Sequence, residues 1–145
     1  MPVNVQIATD IEVPHTREIV KWAQLALRSH TEAIEITVRV VGDAEGCELN
    51  ERWCNGSGPT NVLAFPIDEI DVKPQLRGDV VICASVADAE AVRDGKPKDA
   101  HWAHLVVHGT LHLLGYDHLI DRDAKIMEAQ ECTLLEELGY PDPYL

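Results

Sequence analysis

AHWAHLVVHGTLHLLGYDH, residues 100–118, holds five of the chain's seven histidines, and four of them repeat at helical spacing. At 100° per residue, His101, His104, His108 and His112 fall within about 80° of one another and form a single stripe. Leu105, Val106, Val107, Leu111, Leu113 and Leu114 cover most of the remaining circumference. A helix apolar on nearly every side is buried, so this stretch predicts a largely buried helix. Gly115 ends it, and His118 follows from the loop beyond.

Working outward from that helix, Pro97 suits its first turn and Gly95 the end of a preceding helix from about Val86 to Arg93. On the other side, Asp121 can cap a last helix that ends at Gly139, with Pro141 beyond. The first half of the chain alternates instead. Val3, Val5 and Ile7, and more clearly Ile34, Ile36, Val38 and Val40, have the period of half-buried strands. Between them, Ile19, Ala23 and Leu27 form the stripe of an amphipathic helix after Pro14. Asp43 can cap a short helix through Asn50 and Trp53, although Gly46 weakens it by roughly 1 kcal/mol. Val62 to Phe65 and Val80 to Cys83 are apolar runs bounded by Pro and Gly, as buried strands are. The order β-α-β-α-β-β-α-α-α predicts one α+β domain over residues 1–145, with a small mixed sheet packed by helices. Trp22, Met127, Leu134 and Leu135 are expected in its core.

Composition narrows the function. No apolar run approaches the ~20 residues that cross a bilayer, so no membrane span is expected. The opening MPVNVQIATDIEV lacks the basic start and continuous apolar stretch of a secretory signal, and the expected location is the cytoplasm. Cys47, Cys54, Cys83 and Cys132 form no C-x-x-C pair, which fits reduced thiols. With 25 acidic against 12 basic residues the formal charge is −13, which opposes non-specific attraction to nucleic acid or anionic lipid. Contact with nucleic acid would have to be local, through scattered points such as Arg52, Lys73, Arg77, Lys96 and Lys98.

The histidines supply the chemistry. His108 and His112 stand one turn apart, and the break at Gly115 lets His118 return to the same point. Three neutral imidazoles make a three-ligand zinc site with an open fourth position, the catalytic kind. A large group of zinc proteases spaces its ligands in this way, with a glutamate after the first histidine as general base. Here that position is Gly109, so peptide hydrolysis lacks its proton acceptor. A zinc-bound water, acidified to a pKa of about 7, still suits attack on a phosphodiester or deprotonation of a ribose 2′-OH. Gly109 is expected to leave room for a phosphate beside the metal. His101 and His104 lack a third partner and read as structural, or, for His104, as a residue that orients a ligand or lines the cleft. Asp117 is either an acceptor or base beside His118 or a turn former. Met127 at helical spacing reads as packing.

HGTLHLLGYDH with the preceding AHWAHLVV resembles the signature of the YbeY family of bacterial metal-dependent, single-strand-specific endoribonucleases. LNERW and PTNVLAFP (49–53 and 59–66), RGDVVIC (77–83) and LGYPDPY (138–144) are similar to further blocks of that family, so the resemblance covers nearly the whole chain. It implies a mixed four-stranded sheet and His108, His112 and His118 as ligands of one zinc or other divalent ion. It also implies maturation of ribosomal RNA at the 16S 3′ end, with ribosomal RNA, small-subunit proteins and an assembly GTPase as partners. Family members usually carry an arginine after the aromatic residue before the proline-threonine step, whereas Cys54 follows Trp53 here. An arginine there would stabilise developing phosphoryl charge. Arg52 and Arg77 are the candidates to replace it, and Cys54 is either a fourth metal ligand or a free thiol. Two alternatives remain open: a non-catalytic small-subunit assembly factor with a structural metal, and a metal hydrolase of another substrate class.

Overall fold

The computed structural model describes residues 3–28, 34–54, 56, 58, 60–67, 76–116 and 121–144. Asp117, His118 and Lys73 lie outside the described residues. The elements follow the order predicted from sequence: β1 (Val3–Ala8), α1 (Thr16–Leu27), β2 (Ile34–Val41), α2 (Asp43–Cys54), β3 (Val62–Ile67), β4 (Leu76–Cys83), α3 (Ala84–Arg93), α4 (Lys98–Leu113) and α5 (Asp121–Glu137). No helix among the described residues is long and apolar enough to cross a membrane.

The sheet is four-stranded and mixed, in the order β1-β2-β4-β3. β2 pairs in parallel with both β1 and β4, while β3 runs antiparallel along β4 and forms an edge. Pro66 sits in β3, where an edge strand tolerates the missing N–H. Alternation sorts the side chains between two faces. Ile36, Val38, Val40, Val80 and Ile82 pack with α1 and α4 in the main core, joined by Val62 and Ala64 of β3. Val41, Val81 and Cys83 pack on the other face against Leu49 of α2, Leu63 and Phe65. Trp22, Met127, Leu134 and Leu135 are buried in the main core as expected.

α4 touches α1, α3, α5, β3 and β4, which is why it reads as apolar on nearly every side. Its approach to the sheet depends on two glycines. A Cβ at Gly109 would lie 2.6 Å from Val80 Cγ1 and 3.1 Å from Val62 Cγ2, and a Cβ at Gly78 would lie 2.7 Å from Leu113 Cδ2. The missing side chain at Gly109, expected to clear space for a phosphate, thus lets α4 lie on β4 and β3. A glutamate at this position would begin by pointing into the sheet.

The end of α4 is set by a Schellman turn. Gly115, at φ 102°, donates its N–H to the His112 carbonyl (3.1 Å), and Tyr116 N–H reaches the Leu111 carbonyl (3.2 Å). The turn therefore brings the chain back over the last turn of α4 and leaves the Tyr116 carbonyl beside His112. At the other end, Pro97 is the N-cap rather than a residue of the first turn. Asp43 and Asp121 likewise stand inside the first turns of their helices, where carboxylates complement the helix dipole.

Candidate metal centre

The histidine stripe becomes a ladder of rings with centroids 6.3, 6.1 and 6.4 Å apart from His101 to His112. Exposure rises along it: the side chains of His101, His104 and His108 are 7%, 14% and 22% exposed. His112 is exposed. The ladder thus runs from the core to the surface, and its outer rungs are the ones a substrate can reach.

Each inner histidine is backed by a carboxylate. His101 Nε2 meets Glu90 Oε1 at 3.0 Å, and Glu90 also accepts from Asn61 Nδ2 (3.1 Å) at the start of β3. His104 Nε2 lies 2.5 Å from Glu131 Oε2, and His108 Nδ1 lies 2.9 Å from Glu131 Oε1. Tyr144 donates its hydroxyl to Glu131 Oε2 at 2.7 Å, so three donors from two segments converge on one carboxylate with no solvent exposure. Burial alone would push the Glu131 carboxyl up, but the hydrogen bonds from His104 and His108 outweigh it and hold the group down at about 2. Glu131 is therefore an ionised acceptor, and both facing ring nitrogens must donate to it.

His104, His108 and Glu131 each bring a donor atom to within 4.8 Å of the others, a grouping that could hold a metal ion. Their hydrogen-bond distances favour a different division of labour. The proton on His108 Nδ1 is held by Glu131, and His112 Nδ1 faces the Tyr116 carbonyl at 3.0 Å. A histidine that gives one ring N–H to a carboxylate or backbone carbonyl presents the other nitrogen to a metal in a fixed orientation. For His108 and His112 that other nitrogen is Nε2. In that division Glu131 and the Schellman turn fix the two outer rings, and the atoms that would hold a metal there are the two Nε2. His104 meets the other oxygen of the same carboxylate, so the two rings are linked through Glu131.

His108, Gly109 and His112 line a cleft of about 320 Å³ whose opposite side is formed by Cys54, Thr60, Asn61, Val62, Leu63 and Ala64. Cys54 is thus brought to the metal end, as an exposed free thiol. Arg77 is not. On β4 it shares the parity of Asp79, Val81 and Cys83, the face away from α4, and it is not among the described residues that line the cleft. Arg52 is exposed, pairs with Glu48 at 3.5 Å, and does not line the cleft either. The expected roles of His118 and Asp117 fall outside the described residues.

Sequence reasoning missed Glu131. The signal was present: Met127, Glu131, Leu134 and Leu135 stand at i, i+4, i+7 and i+8, so an acidic residue occupies the buried stripe of α5. Tyr144 offered no such periodicity, because it acts from the tail after α5.

The chain as a whole is similar to known proteins. A protein of Pseudomonas syringae pv. syringae named endoribonuclease YbeY is 49% identical over 146 aligned residues, covering 99% of this chain and 88% of its own. The protein of the same name from Pseudomonas fluorescens is also 49% identical, with 99% and 96% covered. The solution structure of TM1509 from Thermotoga maritima superposes with a TM-score of 0.65 over 94% of this chain and 88% of its own; at 24% identity it speaks for the fold alone. A family model described as endoribonuclease YbeY matches residues 4–139, and with relatives of this identity along nearly the whole length, the chain belongs to the YbeY family.

Proposed function

We propose that this chain is a metal-dependent endoribonuclease that cuts single-stranded RNA, acting in the cytoplasm on ribosomal RNA at the 16S 3′ end during ribosome assembly. The observation that carries the reading is the paired fixing of His108 and His112, whose Nδ1 atoms are both held by acceptors while both rings line one cleft. Relatives sharing 49% identity bear the name endoribonuclease, which supports RNA as the substrate. His118 is the proposed third ligand, zinc the proposed metal, and small-subunit proteins and an assembly GTPase the proposed partners.

When bound, such a cation supplies Lewis acidity to the phosphodiester and acidifies water at the cleft. The chain's own residues do the rest. Glu131 keeps the proton on His108 Nδ1, which fixes the tautomer of that ring, and the Tyr116 carbonyl does the same for His112. The edge strand β3 walls the cleft, and Asn61, which lines it just before β3, donates to Glu90. No lysine or arginine among the described residues lines the cleft.

The test is cleavage of a single-stranded ribosomal RNA fragment by metal-loaded and chelator-stripped protein, beside His112→Ala and Cys54→Arg. Cleavage that needs metal and is lost in His112→Ala supports the reading. A gain in Cys54→Arg measures the charge the cleft lacks. A second reading, a small-subunit assembly factor whose metal is structural, is favoured by Cys54 standing where the family's arginine is usual. A folded, metal-loaded protein that binds the subunit and cuts no RNA would move that reading to first place.

A further inference from the structure

Of the three tryptophans, Trp22 and Trp102 are 1% and 0% exposed, whereas Trp53 is 65% exposed. An indole left in water forgoes a large burial gain, so its place asks for a reason. Trp53 lies in the last turn of α2, and the next residue, Cys54, lines the cleft with His108 and His112. The guanidinium carbon of Arg52 stands 5.7 Å from the centre of the Trp53 ring, close enough for a cation–π contact. An aromatic face and a cation are therefore set side by side on the two residues that precede Cys54, a lining residue of the candidate metal cleft.

We propose that Trp53 is a stacking platform for one unpaired base of the RNA strand held in the cleft, with Arg52 contacting the phosphate beside that base. The inference rests on the nuclease reading above. It also answers the difficulty posed by the formal charge of −13, which repels a polyanion. Stacking on an aromatic ring needs no positive charge, tolerates any sequence because every base has a π face, and needs that face free, as it is in a single strand. A duplex hides its base faces and has nothing to offer Trp53. The platform would thus select single strands and position the backbone relative to His108 and His112.

The molecule carries its own reporter. With Trp22 and Trp102 buried, the emission that acrylamide can reach belongs to Trp53. Stopped-flow mixing of the metal-loaded protein with a short oligouridylate should quench that emission and shield it from acrylamide before products accumulate. A duplex of equal length should do neither. In steady state, Trp53→Ala should raise KM on the order of tenfold while kcat stays within about twofold, and Trp53→Phe should recover most of the loss. Circular dichroism melting of both variants should match the parent, since the side chain is exposed. RNA cleavage without quenching, a parental KM in Trp53→Ala, or a lowered melting temperature that accounts for the loss would each overturn the platform and leave the nuclease reading in place. Quenching and shielding by single strands without any cleavage would support the platform and overturn the nuclease reading.

Discussion

Gly109→Ala adds a single methyl group and tests whether α4 is seated by contact with the sheet. That methyl would start 2.6 Å from Val80 Cγ1 and 3.1 Å from Val62 Cγ2. Val80 has no exposure and sits on β4 between β2 and β3, so it has little freedom to yield. Alanine improves helix propensity by about 1 kcal/mol over glycine, whereas overpacking of a tight interface costs about 1–3 kcal/mol. With the closest contact well inside van der Waals range and Val80 fully buried, the overpacking falls in the upper part of that span, about 2–3 kcal/mol, and a net loss of about 1–2 kcal/mol is expected. For a chain of this length that lowers Tm by about 3–8 °C. The assay is thermal and urea unfolding of the metal-free protein, combined with Val80→Ala in a double-mutant cycle. Val80→Ala costs stability alone but removes the atom that is struck, so the two losses should be strongly non-additive. Gly109→Glu, which restores the protease pattern, should destabilise further and confer no peptidase activity. A Gly109→Ala protein as stable as its parent, or strictly additive losses in the cycle, would refute the close-approach account.

Glu131→Gln should weaken metal binding about 10- to 100-fold, the usual cost of removing a partner that orients a ligating histidine; competition against a chromophoric chelator measures it, and an unchanged affinity would remove Glu131 from that role. Tyr144→Phe deletes one of three hydrogen bonds to the same carboxylate and should produce a smaller fall in affinity, with a loss of about 1 kcal/mol in metal-free stability; a fall larger than that of Glu131→Gln would contradict the proposed order of action. Arg39 holds Glu45 through two side-chain hydrogen bonds, which lower the carboxyl below its ordinary value. The carboxylate's contribution is therefore fully present above the unfolded carboxyl pKa of ~4.3 and disappears as pH falls through the lower folded value. Glu45→Gln should accordingly be less stable than the parent at neutral pH by under about 1 kcal/mol, because the pair is partly exposed, with the gap closing in acid. A gap that widened as the pH dropped would refute this assignment.

Glycine and proline made the helical half of the fold legible, because their effects are local. Gly95, Gly115 and Gly139 all adopt positive φ at the ends predicted for their helices, and Pro97 marks the start of α4. The strands were harder. β4 begins at Leu76, before the apolar run that marked it, because Arg77 and Asp79 alternate onto the face away from the main core, where Asp79 lines a cavity with Leu49 of α2. The same alternation shows why Arg77 faces away from α4, a conclusion available from the sequence once Val80 and Ile82 are set inward. The candidate ligands on α4 could be read from their spacing, since a helix converts spacing into direction. The function of Gly109 could not, because it depends on where Val80 and Val62 lie, and strand register across the sheet is not a local property. Glu131 stood in plain periodicity and needed the reading that a charge inside an apolar stripe must have partners.

That requirement joins the fold to the site. An ionised carboxylate with no exposure would cost several kcal/mol if its donors were missing. Glu131 receives them from His104 and His108 on α4 and from Tyr144 in the tail. Seating α5 against α4 is therefore unfavourable unless those two rings turn their protons toward it, so formation of the core fixes the tautomer and orientation of His108 before any metal arrives. His112, on the exposed rung, is fixed by a different route: the Schellman turn at Gly115 delivers the Tyr116 carbonyl to its Nδ1. One ring is oriented from the core and the next from the helix terminus, each by an interaction the fold requires for its own stability. Preorganisation of this kind lowers the cost of assembling a ligand set, since the rotamer and tautomer choices are made during folding rather than on binding.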